Sequence, residues 1–144
     1  ARIIPIQAKL TLQQTINEGV DGKNQLPEEV KRHFQYMFGE GNYLVVDMNG
    51  DAMDDGTSRS ISDGDGLLLK QYIGDVRAMP YETRLIVLCT NNGNFVNQVT
   101  HVDEATGDIT CHSFNSQYDD FVVPAGDIIQ LFTVERIVNS DIII

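Results

Sequence analysis

Positive charge is what this chain has least of. Ten lysines and arginines stand against 21 aspartates and glutamates, a formal net charge of −11. Such a balance repels phosphate, which excludes a grip on a nucleic-acid backbone by this segment alone. Long apolar runs are missing too: none approaches the ~18–20 residues of a membrane-spanning helix. Cysteine is reduced to Cys89 and Cys111, in the strand-like segments LIVLCT and DITCHSF without C-x-x-C spacing. A disulfide framework is thereby excluded, and buried free thiols in a reducing cytoplasm are expected. The three histidines, His33, His101 and His112, lie far apart and form no H-x-x-x-H pair. They give no metal-ligand pattern, and no metal or cofactor is expected.

What is present is enough for one core. Hydrophobic residues make up 42% of the 144, which suits a single globular unit. The opening ARIIPIQ lacks the basic region, apolar stretch and small-residue site of a signal peptide, and a segment of a longer protein is expected. RIIPIQAKLTLQQTI reads as an extended arm that turns helical, and NEGVDGKNQ as a loop. LPEEVKRHFQYMFG is the one good helix: Pro27 suits the first turn, Glu28 and Glu29 favour the positive end, and Gly39 stops it. Val30, Phe34 and either Met37 or Phe38 recur at helical spacing and should face a core.

From Asn42 the pattern changes to short β-rich runs. Strands are predicted near Tyr43–Met48, Leu67–Tyr72, Arg84–Thr90, Phe95–Val102, Asp108–Phe114, Phe121–Val123 and Ile128–Val138, with NNGN and EATGD as hairpin connections. The fold class is therefore mainly β. An arm and helix occupy residues 1–41 and a β domain residues 42–144. The closing DIII leaves strand-formers at a terminus where they could pair with another chain.

The acidic stretches carry little chemistry of their own. DMNGDAMDDGTS sets Asp47, Asn49 and Asp51 at the first, third and fifth places of an EF-hand loop, but Ala52 and Ser58 stand where Gly and a bidentate Glu are required. Solvent-facing carboxylates are the reading. SDGDG, Ser62 to Gly66, has no lysine for a phosphate loop, and its aspartates would oppose a phosphate. A tight turn into LLLKQY is expected. No serine lies in an obvious nucleophile turn.

Taken in order, YLVVDMNGDAMDDGTSRSISDGDGLLL, GNFVNQV and CHSFNSQYDDFVV resemble the C-terminal domain of LexA, the related phage repressors and UmuD-type proteins. The first looks like that family's strand, Gly-Asp-Ser-Met turn and Ile-x-x-Gly-Asp turn, through Gly50, Asp51, Met53, Ile61, Gly64 and Asp65. FNSQY resembles its Ser-x-Asn-x-x-Tyr element, and VERIV its final strand. The resemblance covers roughly residues 42–138 and implies the twisted β-fold of that domain, of signal-peptidase type, with one helix before it.

Members that cut themselves use a serine nucleophile and a buried neutral lysine whose pKa is lowered by burial. At the serine's place this chain has Ala52. At the lysine's place, aligning FVNQV with the family's strand puts Asn97, although Lys70 is the nearby lysine. The scissile Ala-Gly of the arm has AKL, Ala8 to Leu10, as its counterpart. The resemblance thus implies a domain kept for shape and pairing: a non-catalytic dimerisation and regulatory domain of a phage-type LexA-like transcriptional repressor. DNA contact would come through a preceding helix-turn-helix, and a regulatory protein partner could carry the signal. Leu131, Phe132, Val134 and Ile137 are the candidate homodimer contact by analogy. Two alternatives stay open: a self-cleaving peptidase of the same fold silenced at Ala52, and an unrelated β-rich binding module.

Overall fold

The structure, a computed structural model, describes residues 3–4, 10–14, 26–138 and 142–143. The predicted loop NEGVDGKNQ and most of AKL lie outside the described residues. In chain order the elements are β1 (Ile3–Ile4), β2 (Leu10–Thr11), α1 (Glu28–Phe38), β3 (Tyr43–Asp47), β4 (Gly66–Tyr72), β5 (Ile86–Thr90), β6 (Gly93–Val102), β7 (Ile109–His112), β8 (Phe121–Val123), β9 (Ile128–Ile137) and β10 (Ile142–Ile143). The protein is mainly β, with one α-helix among the described residues.

One sheet of eight strands runs β2-β3-β4-β9-β5-β6-β7-β8, and β1 pairs with β10 in a separate two-stranded sheet. Every pairing is antiparallel except β2 with β3. Register shifts at Leu68/Leu69, Cys89/Thr90 and Val99/His101 bend the strands, and such bulges raise the local twist.

Alternation along the strands divides the core. One face carries Leu44, Val46, Leu67, Leu69, Val87 and Phe132, closed over by Leu12, Met48, Met53 and Ile61. The other face is covered in two portions. Over β3 and β4, α1 lays down Val30 and Phe34 against Tyr43, Val45 and Leu68. Over β5 to β8, Ile86, Leu88, Val99, Ile109, Cys111 and Leu131 pack beneath Met79. Strand β5 is buried at all five positions because both faces are covered, and this is why LIVLCT reads as a continuous apolar run instead of an alternating one.

Helix α1 resolves the choice left open by its spacing. Phe38 joins the cluster while Met37 is 51% exposed. Fully burying a side chain such as Phe34 stabilises by roughly 1.5–3 kcal/mol. The rings of Phe34, Phe38 and Tyr43 meet at 5.9–6.5 Å. Gly39 ends the helix at φ 92°, a conformation that favours glycine. Lys70 Nζ donates to the Phe38 carbonyl at 2.8 Å, so a cation sits where the helix leaves unpaired acceptors.

A polar belt crosses the second face between its two apolar portions. Glu135, whose side chain is 4% exposed, is ion-paired with Arg84 and accepts from Thr133 Oγ1 at 2.9 Å. Among the described residues the arm is extended at Leu10–Thr11 and then forms a 3-10 turn, Leu12–Gln14. It packs into the same core as the sheet through Leu12.

Candidate functional site

The two turns singled out in the sequence interlock. Gly50, at φ 85°, donates its N–H to Asp63 Oδ1 at 2.7 Å. Met48 N donates to Asp65 O and Gly64 N to Met48 O, both at 2.8 Å. Ile61 N donates to Met53 O at 3.0 Å, with both side chains buried. Asp65 closes its own turn by accepting from Ser62 N at 2.8 Å. Gly50, Gly64 and Asp65 thus shape backbone, while Met53 and Ile61 anchor the turns in the core.

The FNSQY element clasps the same turn. Asn115 donates its backbone N–H to Ala52 O at 2.9 Å and its side-chain amide to Asp51 O at 3.1 Å. Tyr118 donates its hydroxyl to Asp51 Oδ1 at 2.5 Å. That bond stabilises the protonated phenol and raises its pKa, as hydrogen bonding to the neutral form must. Ser113, just before the element, accepts from Asn97 Nδ2 at 3.1 Å with both side chains buried.

A cleft of about 290 Å³ opens between these parts, and both Ala52 and Asn97 line it. It runs beside β6, which pairs with β7 only from Gln98 onward. The Thr90–Gly93 pair closes the β5–β6 hairpin. Antiparallel alternation then turns the backbone groups of Asn94 and Val96 away from β5. The arm takes the first of these positions. Gln13 Nε2 donates to Asn94 O at 2.9 Å, Asn94 N donates to Gln13 Oε1 at 3.2 Å, and Asn94 Nδ2 donates to Leu12 O at 2.7 Å. One carboxamide therefore does for Asn94 what a neighbouring strand would do.

The chemistry available is narrow. No lysine, histidine or cysteine is among the described residues that line the cleft. The Ala52 methyl offers no nucleophile, and the Asn97 amide cannot accept a proton near neutral pH. Ser113 is a hydroxyl whose buried neighbour only donates to it. Lys70 is removed from the question, because it pairs with Tyr43 while Gly66 pairs with Asp47 beside the turn. Those four residues of strand put Lys70 roughly 13 Å away along β3, where it caps α1.

The acidic loop is likewise committed internally. Asp55 accepts from Thr57, Arg59 and Ser60, and these bonds hold its carboxyl well below the usual carboxylate range. Arg59 in turn stacks over Phe114 at 4.0 Å. Asp47 is shifted the other way, upward, by burial. Among the described residues no group of three or more histidines, cysteines, aspartates and glutamates is placed to hold a metal. Cys89 and Cys111 are buried free thiols on opposite faces of the sheet. Burial pushes each up to about 12.

The proposed dimer residues need correction. Phe132 is wholly buried and Leu131 is 5% exposed, both within this chain's own core. Val134 packs partly buried against the first face, and only Ile137, at 42%, is exposed. Strand β9 also lies between β4 and β5 over residues 131–133, while among the described residues 136–137 pair with β4 alone. The physical reason is that a long central strand spends its apolar side chains on the monomer. Leu12, Gln13, Asn94 and Ser113 were missed by sequence reasoning. The signal nearest to them is the pair Asn94 and Asn97 in β6, which local pattern cannot distinguish from an exposed face.

Among the described residues, no helix is long and apolar enough to cross a membrane. No family model matches the chain, and the curated proteins searched contain no significant match to it.

Proposed function

We propose that the chain is a non-catalytic dimerisation and regulatory domain of a LexA-like, phage-type repressor, in which the peptidase cleft has been retained as a dock for the chain's own arm. The observation that carries this reading is the meeting of Ala52 and Asn97 on the wall of one cleft that the arm closes through Leu12 and Gln13. The order of the turns, the clasp by Asn115 and Tyr118, and the distance of Lys70 from the cleft support it. In this reading a preceding helix-turn-helix reads DNA in the cytoplasm, and the domain holds two copies together. Ile137, with neighbouring Arg136, replaces the four-residue contact as the dimer surface.

Two measurements test the reading. Fused behind a monomeric helix-turn-helix domain of known operator, the chain should raise affinity for a two-half-site operator by about 100-fold over that domain alone, through effective concentration. The fusion should also sediment as a dimer. An unchanged affinity and a monomeric fusion would reject it. The silenced-peptidase alternative is tested by Ala52→Ser, which we expect to leave the arm uncut even at alkaline pH, since no lysine or histidine is among the described residues that line the cleft. Self-cleavage by that single variant would favour the enzyme reading.

A further inference from the structure

The far edge of the sheet, which shares Phe95, Phe121 and Asp119 with the cleft, carries a feature of its own. Strand β8 pairs with β7 through Ile109↔Val123, Thr110↔Val122 and Cys111↔Phe121, and among the described residues no strand covers its other side. Val122 is 58% exposed in the middle of this edge. Beside it runs a shallow groove of about 150 Å³ whose lining includes Phe95, Phe121, Val122 and Asp127. Phe95 and Phe121 meet edge to face at 5.3 Å and form its apolar floor.

Charge at this edge has one sign. Asp119 and Asp120 precede the strand and Asp127 follows it, while no lysine or arginine occurs between Cys111 and Glu135. Within that stretch of sequence His112 is the one basic residue, and its Nδ1 lies 2.7 Å from Asp120 Oδ1. Asp119 is exposed at the rim.

We propose that the open edge of β8 docks an extended segment of a partner protein in which apolar side chains alternate with lysine or arginine, added as a further strand. Its backbone would pair with the outward groups of β8, its apolar side chains would meet the Phe95–Phe121 floor, and its cations, on the face that Val122 shares, would lie toward Asp119, Asp120 and Asp127. A second copy of this chain is disfavoured as occupant. Antiparallel self-pairing about Val122 would bring two such acidic flanks together on molecules of net charge −11, and like charges across an edge repel.

The test uses the whole chain and three labelled peptides: Ac-KVKVTVK-NH2, its acidic counterpart Ac-EVEVTVE-NH2, and Ac-KPKPTPK-NH2, which keeps the charge but cannot form a strand. We expect saturable anisotropy binding of the first alone, with amide shifts concentrated at residues 119–124. Val122→Lys, a change at an exposed side chain, should weaken it by at least about tenfold by placing a like charge on the edge. Equal binding of the proline peptide would overturn the proposal in favour of unspecific charge attraction. No binding of the strand peptide would also overturn it, leaving the acidic flanks as a guard against edge pairing. A dimer that dissociates on Val122→Lys would assign the edge to a second copy instead.

Discussion

Behind β9, Arg84, Glu135 and Thr133 form a cluster in which the buried carboxylate has an ion-pair partner and a hydroxyl donor. Beside β6, Gln13, Asn94, Asn97 and Ser113 form another from amides and a hydroxyl, next to open space. The first joins neighbouring parts of the sheet, with Thr133 paired to Lys70 on one side and Ile86 on the other. The second is closed by a segment that reaches it from the far end of the chain. Similar donors and acceptors thus hold a sheet together in one place and hold the arm against the sheet in the other. The difference teaches that a buried polar group is not by itself a functional mark. Its partners must be on an element that can leave.

The sharpest way to break this comparison is at Arg84. Arg84→Met strips the partner from a carboxylate that is 4% exposed, and an unpaired buried charge costs about 3 kcal/mol. Glu135→Gln leaves behind a guanidinium that is 39% exposed and can be solvated, so the cost should be about 1 kcal/mol. Urea unfolding of the two variants measures the asymmetry. Equal losses would show the belt to be less enclosed than its burial indicates.

A smaller effect is expected at the arm, and of a different kind. Removing Leu12 from a fixed core would cost about 3 kcal/mol. If the arm opens as a local unit, the global loss stops at the free energy of that opening, on the order of 1 kcal/mol. Leu12→Ala and Asn94→Ala should therefore lower the urea midpoint little while speeding proteolysis of the arm several-fold. Leu69→Ala, in the fixed core, should do the reverse. A full-sized loss of stability from Leu12→Ala would make the arm an integral strand and weaken its role as a dock.

The same contrast explains what could be read from the chain. Helix α1 and the seven antiparallel strands were legible because Val30 and Phe34 keep helical spacing and the short β-rich runs are bounded by turn residues. Lys70 was ambiguous because its sequence neighbourhood, after the turn, says nothing of which end of β3 it faces. Register decides that, through its pairing with Tyr43. The dimer assignment to Leu131 and Phe132 went astray because an apolar strand near a terminus looks alike whether it lies at an edge or in the middle. Gln13 meeting Asn94 across 81 residues is a contact that no local pattern encodes.

The smallest effect concerns carboxylates outside both clusters. Asp55 is held below its ordinary 3.8 by side-chain bonds, first from Thr57, then from Arg59 and Ser60. Asp103 is lowered chiefly by the backbone N–H groups of Thr106 and Ala105, and Asp75 by that of Arg77. A carboxyl with a lowered folded-state pKa binds its proton more weakly when folded, so the unfolded chain takes up more protons between the two values. Its contribution is complete above 3.8 and is lost as the pH falls below that through the folded-state values. The urea midpoint should accordingly hold between pH 7 and 5 and decline below about 4. Asp103→Asn keeps an acceptor for the turn but removes the titration, so it should flatten part of that decline. These groups are solvent-exposed, and about 0.5 M salt should shrink the Arg59 share of the effect more than the share from backbone donors. A midpoint that falls equally in the Asn variant would place the acid sensitivity at the other lowered carboxyls, Asp55 and Asp75.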